Sequence, residues 1–485
     1  MDSINLKKKA FSGFFWKFSE RISAQLVSLI VSIILARILI PEDYSVVGIV
    51  AIFFAFCNIF ISGGLNGALI QKKNADLEDY STIFYVNMGL ALVLYIVMFF
   101  SAPLIANLYD KEILIPVIRV MGLSFFVNGY KAILSAYTSS TLQFKKFFFA
   151  TISGTCISAV VGIVMAIKGY GAWSLVAQQM TKSLIDTIVL FFSTKLRLLL
   201  VFSIEKFKSL FSYGWKMLVA SFITVLYDEI NPLIVGLKYS SADLSFYTKG
   251  KQYPGLINST ISNTLSSVLF PVMSKVQDDK NAVLNITRKY IKTSSYIIFP
   301  IMIGFFAVSE NFVVSLLTEK WLKIVPYMQV FCISYMFDII QIGNLQAIKA
   351  IGRSDITLKL ELIKKSAYFL VVILFLFNTN SPEGLALSAI VCTCIATLIN
   401  TYPNRKLIGY KYSLQLYDLL PNLFIAIIMG ISVYMLNMLK MNTFLLLFIQ
   451  ILVGAILYVL LSIVTKNKNF MYILKLLSQL LRRKK

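Results

Sequence analysis

Residues 81–103 read STIFYVNMGLALVLYIVMFFSAP, an uninterrupted stretch without a charged side chain. An α-helix rises about 1.5 Å per residue, so a stretch of this length crosses the hydrocarbon core of a bilayer, which is about 30 Å thick. The stretch is continuously apolar and does not alternate in polarity, which favours a helix over a strand of a membrane barrel. Residues 81–103 therefore predict a transmembrane helix.

Comparable stretches recur along the whole chain. Hydrophobic residues make up 58% of the 485 residues and charged residues only 14%, and the mean hydropathy is +0.77. Lipid offers no hydrogen-bond partners to backbone N–H and C=O groups, and an α-helix pairs these groups with each other. The sequence predicts an all-α, polytopic membrane protein with about fourteen transmembrane helices. The predicted spans lie near residues 13–40, 44–66, 81–103, 115–139, 147–167, 171–193, 211–237, 255–274, 293–317, 325–348, 357–378, 384–402, 417–438 and 443–465.

The basic residues are distributed unevenly between the connecting segments. The net charge is +23, and most of the 46 Lys and Arg residues lie in alternate segments, counted from the N-terminal arm. The positive-inside rule places those segments in the cytoplasm, which predicts a multi-pass membrane protein with both termini cytoplasmic. Contact with membrane lipids accounts for the basic charge, so no nucleic-acid partner is expected.

The two halves of the chain repeat one pattern. Trp16-Lys17 in the first predicted span recurs as Trp215-Lys216 in the seventh. Further matches in the same order pair Asn58 with Asn258, Ser62 with Ser262, Leu108–Lys111 with Leu317–Lys320, and Gly171 with Gly384. Because six spans separate the matches, both halves have the same topology, as in parallel repeats that carry a substrate path at their interface.

The repeat sets the predicted domain organisation. Residues 1–193 form an N-terminal six-helix bundle, and residues 211–402 form a C-terminal six-helix bundle. Residues 194–210, which mix basic and apolar side chains, are a cytoplasmic amphipathic connector. Residues 403–465 add two further transmembrane helices, and residues 466–485 are a basic cytoplasmic tail.

Acidic residues inside the predicted spans are candidates for ion coupling, because charge is costly in lipid. The seventh span carries one polar helix face, formed by Ser221, Thr224, Asp228 and Asn231, with Glu229 beside it. Asp338 lies centrally in the tenth span. Asp228, Glu229 and Asp338 are predicted to bind a cation or a proton. The alternative is a structural hydrogen-bonded cluster that packs against another helix.

Basic and amide side chains inside the spans are candidates for contact with an anionic substrate headgroup. They are Arg21, Gln25, Arg37, Asn58, Lys131 and Lys216. The alternative for Arg21 is that it extends to the nearby membrane surface, and the alternative for Asn58 is close helix packing. Lys182 and Asp186, four residues apart, predict a mutually neutralising pair.

The residue inventory argues against an enzyme. The chain has no His, which excludes His-based triads and His-ligated metal sites, and it has no Walker A motif for nucleotide hydrolysis. The segments between the predicted spans are too short for a soluble glycosyltransferase domain. The sequence therefore predicts a protein without enzymatic activity and without a cofactor.

Several motifs of the chain indicate a family. They are Phe15-Trp16-Lys17, Leu35-Ala36-Arg37-Ile38-Leu39-x-Pro41-x-Asp43-Tyr44, Gly63-Gly64-Leu65, Ala68-Leu69-Ile70-Gln71, Gly169-Tyr170-Gly171-Ala172-Trp173-Ser174-Leu175-Val176 and Phe270-Pro271-Val272-Met273-Ser274. Over roughly residues 10–410 the chain resembles the Wzx-type polysaccharide flippases, and within them the branch that exports colanic-acid-like or teichuronic-acid-like units. These flippases are part of the multidrug/oligosaccharidyl-lipid/polysaccharide exporter superfamily.

The resemblance implies a fold and a function. The fold is two six-helix bundles around a basic cavity that opens alternately to each side of the membrane. The cargo is an undecaprenyl-diphosphate-linked oligosaccharide, flipped from the cytoplasmic to the outer leaflet for the biosynthesis of lipopolysaccharide or exopolysaccharide. A polysaccharide polymerase and glycosyltransferases are the implied protein partners.

Two other functions stay open at this point. One is a cation-coupled multidrug or metabolite exporter of the same superfamily, which a count of twelve spans would favour. A membrane scaffold for polysaccharide assembly, which transports nothing, would not need charged residues inside its spans.

Overall fold

The computed structural model describes residues 3–62, 64–72, 75–141, 143–274, 276–439, 441–472 and 474. Gly63 of the motif quoted above, and residues 475–485 of the predicted basic tail, lie outside these ranges. The described residues are predominantly helical and form no strand, which confirms the predicted all-α fold. They divide into two units, of which the first ends at Ser245 and the second begins at Phe246.

The described part of the first unit contains nine helices. Its described helices are α1 (Ser3–Ile38), α2 (Pro41–Ser62), α3 (Leu65–Gln71), α4 (Leu77–Leu108), α5 (Leu114–Gly122), α6 (Ser124–Ser140), α7 (Phe144–Ile167), α8 (Ala172–Thr194) and α9 (Ile204–Lys238). α7 packs against α1 and α8, and α9 packs against α2 and α3. Packing thus groups α9 with the first unit, whereas the repeat places it at the start of the second half.

The second unit is centred on α11. The remaining described helices are α10 (Ser241–Ser274), α11 (Lys280–Phe312), α12 (Val325–Ala350), α13 (Ser354–Asn378), α14 (Pro382–Thr401), α15 (Asn404–Leu407), α16 (Tyr412–Met435) and α17 (Thr443–Val464). A π-helical turn at Val313–Leu317 and a 3₁₀ segment at Glu319–Ile324 connect α11 to α12. α11 contacts α12, α16 and α17, so the last two spans pack on the second unit.

Each of the fourteen predicted spans falls on one long helix or on two consecutive short ones. Among the described residues, 11 helical segments are long and apolar enough to cross a membrane. α8, α10 and α13 have the length but do not meet that standard of hydropathy and charge, so a count of fourteen is approximate. Three predicted starts are late by ten or more residues, because α1, α10 and α11 begin with polar turns that hydropathy does not detect.

The connector between α8 and α9 is not helical over residues 195–203. It lies against α4, where the backbone amide of Leu199 donates to Ser81 Oγ at 2.8 Å. At the start of α9, Lys206 Nζ lies 2.6 Å from Asp76 Oδ2. This hydrogen bond, together with one from the Asp79 amide, lowers the pKa of Asp76 to about 2. The side chain of Leu200 is 95% exposed.

Two glycines, Gly64 of the Gly63-Gly64-Leu65 motif and Gly214 before Trp215-Lys216, meet where α3 approaches α9. A Cβ atom placed on Gly64 would collide with the carbonyl oxygen of Gly214. A Cβ atom on Gly214 would lie 3.0 Å from Leu65 Cδ2. The close approach of the two backbones therefore requires glycine at position 64 and leaves little room for a side chain at position 214.

Gly64→Ala is expected to lower the free energy of unfolding by about 1–3 kcal/mol, because the added methyl group forces α3 and α9 apart. Thermal unfolding of the purified protein in detergent measures the effect. Gly89→Ala in α4 is the matched control, since a Cβ there would meet nothing within 4 Å. Equal midpoints for the two variants would contradict the close packing.

The repeat is visible in the backbone turns that begin α2 and α10. Asp43 Oδ2 accepts a hydrogen bond from the amide of Ile40 at 3.1 Å. Asp243 Oδ2 accepts one from the amide of Ser240 at the same distance. The two helix starts also touch, because Ser245 Oγ donates to the carbonyl of Pro41 at 2.7 Å. Equivalent positions of the two halves thus form the same capped turn.

Candidate functional site

A polar groove of about 520 Å³ runs between α2, α3 and α6 in the first unit. Its polar lining is Asn58, Ser62, Asn66, Asn128, Lys131, Ser135 and Ser139. Asn58 and Lys131, both predicted as headgroup contacts, therefore lie in one groove. The lining combines amide and hydroxyl groups with a single ammonium group.

Lys131 is held in the groove by an ion pair. Its Nζ lies 2.6 Å from Asp186 Oδ2 on α8, and the two side chains are 32% and 5% exposed. A Cβ atom on Gly154 of α7 would collide with Asp186 Oδ1, so glycine makes room for the carboxylate. The sequence predicted Lys182 as the partner of Asp186. Lys182 acts on this carboxylate electrostatically, but the direct ion pair reaches across to Lys131 on α6.

A chain of hydrogen bonds connects α8, α6 and α2 beside this ion pair. Ser183 Oγ donates to Asn128 Oδ1 at 2.6 Å, and Asn128 Nδ2 donates to Asn58 Oδ1 at 3.2 Å. Asn58 and Asn128 also line a second cavity of about 260 Å³, together with residues of α5 and α8. The two amides are therefore accessible from two cavities of the same unit.

The second unit contains an equivalent cluster with different charges. Asn258, the repeat partner of Asn58, donates from Nδ2 to Asp338 Oδ2 at 2.7 Å. Asp338 thus occupies on α12 the position that Asn128 has on α6. At the position equivalent to the Lys131–Asp186 ion pair, the second unit has a neutral pair, in which Asn400 Nδ2 donates to Gln341 Oε1 at 3.4 Å. The first cluster therefore presents a cation, and the second presents a carboxylate and neutral amides.

The remaining candidates on α1 do not share one site. Arg21 and Arg37 are both exposed, and Gln25 is partly buried. Sixteen residues of helix separate the two arginines, which corresponds to about 24 Å. Arg21 lies next to Glu20, whose carboxylate accepts a hydrogen bond from Thr151 Oγ1 at 2.9 Å. One phosphate group therefore cannot contact Arg21 and Arg37 at the same time.

The candidates on α9 are also spread along the helix. Lys216 and Asp228 are exposed, and Glu229 is partly buried. Lys216 lies in the first turn of the apolar part of α9, which begins at Gly214. Asp228 lies about 18 Å further along the helix axis, near the middle of that part.

Asn128 and Ser183 belong to the polar cluster but were not among the predicted site residues. The signal for Asn128 was present in the sequence, since Asn128, Lys131 and Ser135 are spaced three and four apart and share a helix face. No such pattern marks Ser183. Among the described residues, no group of three or more Cys, Asp or Glu side chains is placed to hold a metal ion.

The chain matches known polysaccharide proteins over most of its length. The family described as "Polysaccharide biosynthesis protein" matches residues 34–326. The lipopolysaccharide biosynthesis protein WzxC of Escherichia coli (strain K12) is 23% identical over 88% of this chain and 89% of WzxC. The teichuronic acid biosynthesis protein TuaB of Bacillus subtilis (strain 168) is 23% identical over 85% of each chain.

A solved structure shares the fold. The lipid II flippase MurJ, in an inward closed conformation, superposes with a TM-score of 0.73 at 18% sequence identity, over 94% of this chain and 99% of MurJ. The resemblance to Wzx-type polysaccharide proteins that the sequence motifs predicted is confirmed by these matches. Since the family match alone covers more than half of the residues, the chain belongs to the polysaccharide biosynthesis protein family of multi-span membrane proteins.

Proposed function

We propose that this protein is a flippase that moves an undecaprenyl-diphosphate-linked oligosaccharide from the cytoplasmic to the outer leaflet during the synthesis of cell-surface polysaccharide. The family match and the relatives WzxC and TuaB support a role in polysaccharide synthesis. The likeness in fold to a lipid II flippase supports transport of a lipid-linked sugar. A drug exporter of the same superfamily is not favoured by the family match.

The observation that carries the proposal is the polar groove of the first unit. Sugars present hydroxyl groups, which amide and hydroxyl side chains such as Asn58, Ser62 and Asn128 bind by hydrogen bonds. Phosphate requires a cation, which Lys131 supplies. A groove of this composition accepts an anionic sugar headgroup inside the membrane, where an isolated charge is costly.

The membrane potential favours the proposed direction of transport. Moving one negative charge outward across an inside-negative membrane releases about 2.3 kcal/mol per 100 mV. A diphosphate therefore needs little additional driving force once the protein shields its charge. Coupling to H⁺ or Na⁺ through Asp228, Glu229 or Asp338 is a further part of the proposal. For Asp338, the hydrogen bond from Asn258 is compatible with either a charged or a neutral carboxyl group.

The orientation and the remaining partners are also proposals. The bias of Lys and Arg between the connecting segments supports a location in the bacterial inner membrane with both termini cytoplasmic. Alternating access through a basic cavity, with Arg21, Gln25, Arg37 and Lys216 as further headgroup contacts, follows from the family resemblance. Cooperation with a polysaccharide polymerase and glycosyltransferases follows from the same resemblance.

A flipping assay in proteoliposomes tests the function. The wild-type protein is expected to move a fluorescent lipid-diphosphate oligosaccharide between leaflets, and to leave a labelled phosphatidylcholine where it is. Arg21→Ala is expected to slow flipping about tenfold, because a hydrogen bond to a charged group contributes about 1.5–3 kcal/mol. Asp228→Asn is expected to remove any dependence of the rate on an imposed cation gradient.

Lys168→Gln is the matched control, since Lys168 is an exposed cation outside the predicted spans. It is expected to flip at the wild-type rate. An unchanged rate in Arg21→Ala would contradict the assignment of Arg21. A wild-type dependence on the cation gradient in Asp228→Asn would contradict the assignment of Asp228. Absence of flipping by the wild-type protein, with export of small cationic compounds instead, would overturn the proposed function.

A further inference from the structure

A second basic pocket lies in the other unit, at one end of α11. It has a volume of about 280 Å³ and is lined by Arg288, Lys289 and Lys292 of α11 and by Asn469 and Tyr472, which follow α17. None of these residues belongs to the polar groove described above. The pocket is therefore a separate concentration of positive charge.

One buried carboxylate fixes two of the three cations. Asp418 on α16 accepts hydrogen bonds from Arg288 Nε and Nη2, both at 2.8 Å, and its Oδ1 lies 2.9 Å from Lys292 Nζ. The Asp418 side chain has no exposure, whereas the Arg288 and Lys292 side chains are 28% and 33% exposed. Their remaining N–H groups are therefore free to bind an anion, and the three cations exceed the one carboxylate by two charges.

The rest of the pocket is also held in place. Lys289 Nζ lies 4.0 Å from the centroid of the Tyr472 ring, a cation–π contact that positions both groups. Asn422 Oδ1 accepts hydrogen bonds from Asn467 Nδ2 at 3.1 Å and Asn469 Nδ2 at 3.2 Å. These contacts fix the segment after α17 against α16. The basic groups are thus ordered before any ligand arrives, which reduces the entropic cost of binding.

The pocket lies at one end of three predicted spans. Its α11 residues lie just before the predicted span that begins at residue 293, α16 begins at Tyr412 close to Asp418, and Asn469 and Tyr472 follow the end of α17. The two segments that hold the pocket residues also carry exposed apolar side chains, namely Leu416, Tyr417 and Leu420 on α16 and Met471 and Leu474 after α17. A cationic pocket on segments with exposed apolar side chains fits a phosphate that is attached to acyl chains better than a free phosphate ion.

We propose that this pocket binds the phosphate group of an anionic membrane phospholipid, such as phosphatidylglycerol or cardiolipin. Arg288, Lys289 and Lys292 donate hydrogen bonds to the phosphate oxygens, and the bound lipid holds α11, α16 and the segment after α17 together. The binding is separate from transport and does not depend on the proposed flippase function.

The test is lipid-dependent thermal unfolding of the full chain, with lipid binding also counted by native mass spectrometry. Cardiolipin or phosphatidylglycerol added to the wild type in detergent is expected to raise the unfolding midpoint, and phosphatidylcholine is expected to leave it unchanged. Lys289→Gln is expected to bind the anionic lipid about fivefold more weakly, since one basic residue near an anionic lipid contributes about that factor. Lys289→Arg is expected to retain the wild-type response.

Lys289 is chosen because it does not bond to Asp418, so its replacement leaves the buried carboxylate paired. Lys280→Gln is the matched control, an exposed lysine at the start of the same helix and outside the pocket. It is expected to respond as the wild type does. Equal lipid responses of Lys289→Gln and Lys280→Gln would overturn the proposal. Stabilisation by inorganic phosphate to the same extent as by the lipid would overturn the assignment to a phospholipid.

Discussion

Replacing Lys131 by glutamine is expected to lower the free energy of unfolding by about 3 kcal/mol. The carboxylate of Asp186 is almost fully buried, and Lys131 is the partner that neutralises it at 2.6 Å. Removing one member of a buried ion pair costs about 3–5 kcal/mol, because the other charge is left uncompensated. The lower end applies because Lys131 is itself one-third exposed. Thermal or denaturant unfolding in detergent measures the loss.

The double variant Lys131→Gln/Asp186→Asn is expected to recover most of this stability, to within about 1 kcal/mol of the wild type. It reproduces in the first unit the neutral pair that Gln341 and Asn400 form at the equivalent position of the second. If the double variant is as unstable as Lys131→Gln, the two pairs are not equivalent.

The same double variant separates stability from transport. With its fold restored but its ammonium group absent, it is expected to flip the lipid-linked oligosaccharide about tenfold more slowly than the wild type. A rate equal to that of the wild type would show that Lys131 stabilises the first unit and does not contact the headgroup. Asp186→Asn alone keeps the cation and provides the intermediate comparison.

The second large effect is expected from Asp418→Ala. This substitution removes the one carboxylate that bonds to Arg288, Lys292 and the hydroxyl of Tyr410, the last at 2.9 Å. Arg288 and Lys292, one turn apart on α11, then lie against α16 without a compensating carboxylate. The expected loss of stability is about 3 kcal/mol, again measured by unfolding in detergent.

Asp355→Ala is the control for this prediction. Asp355 also pairs with an arginine at 2.8 Å, but Arg353 and Asp355 are 48% and 52% exposed. An exposed pair contributes about 0–1 kcal/mol, so this variant is expected to unfold close to the wild type. Similar losses in the two aspartate variants would show that burial does not set the strength of the Asp418 cluster.

Hydropathy along the chain was sufficient to predict the class of fold and the order of the spans. Crossing lipid requires a continuous apolar stretch, which is a local property that no distant residue changes. The repeat was detectable because matching residues such as Trp16 and Trp215 keep their order along the chain. The structure adds a further pair, since Asp43 and Asp243 cap equivalent turns through contacts within three residues. The starts of α1, α10 and α11 were missed because a helix that continues beyond the lipid needs no apolar residues there.

The partners of the polar side chains were decided only by the tertiary structure. The sequence predicts that Asp186 pairs with Lys182, four residues away, whereas the structure pairs it with Lys131 at 2.6 Å. Asn58 and Asn128 likewise meet only because α2 packs against α6. A continuous apolar stretch determines that a segment becomes a helix within the membrane. Which charges neutralise each other depends on which helix faces touch, and that is set by side-chain packing between residues far apart in the chain.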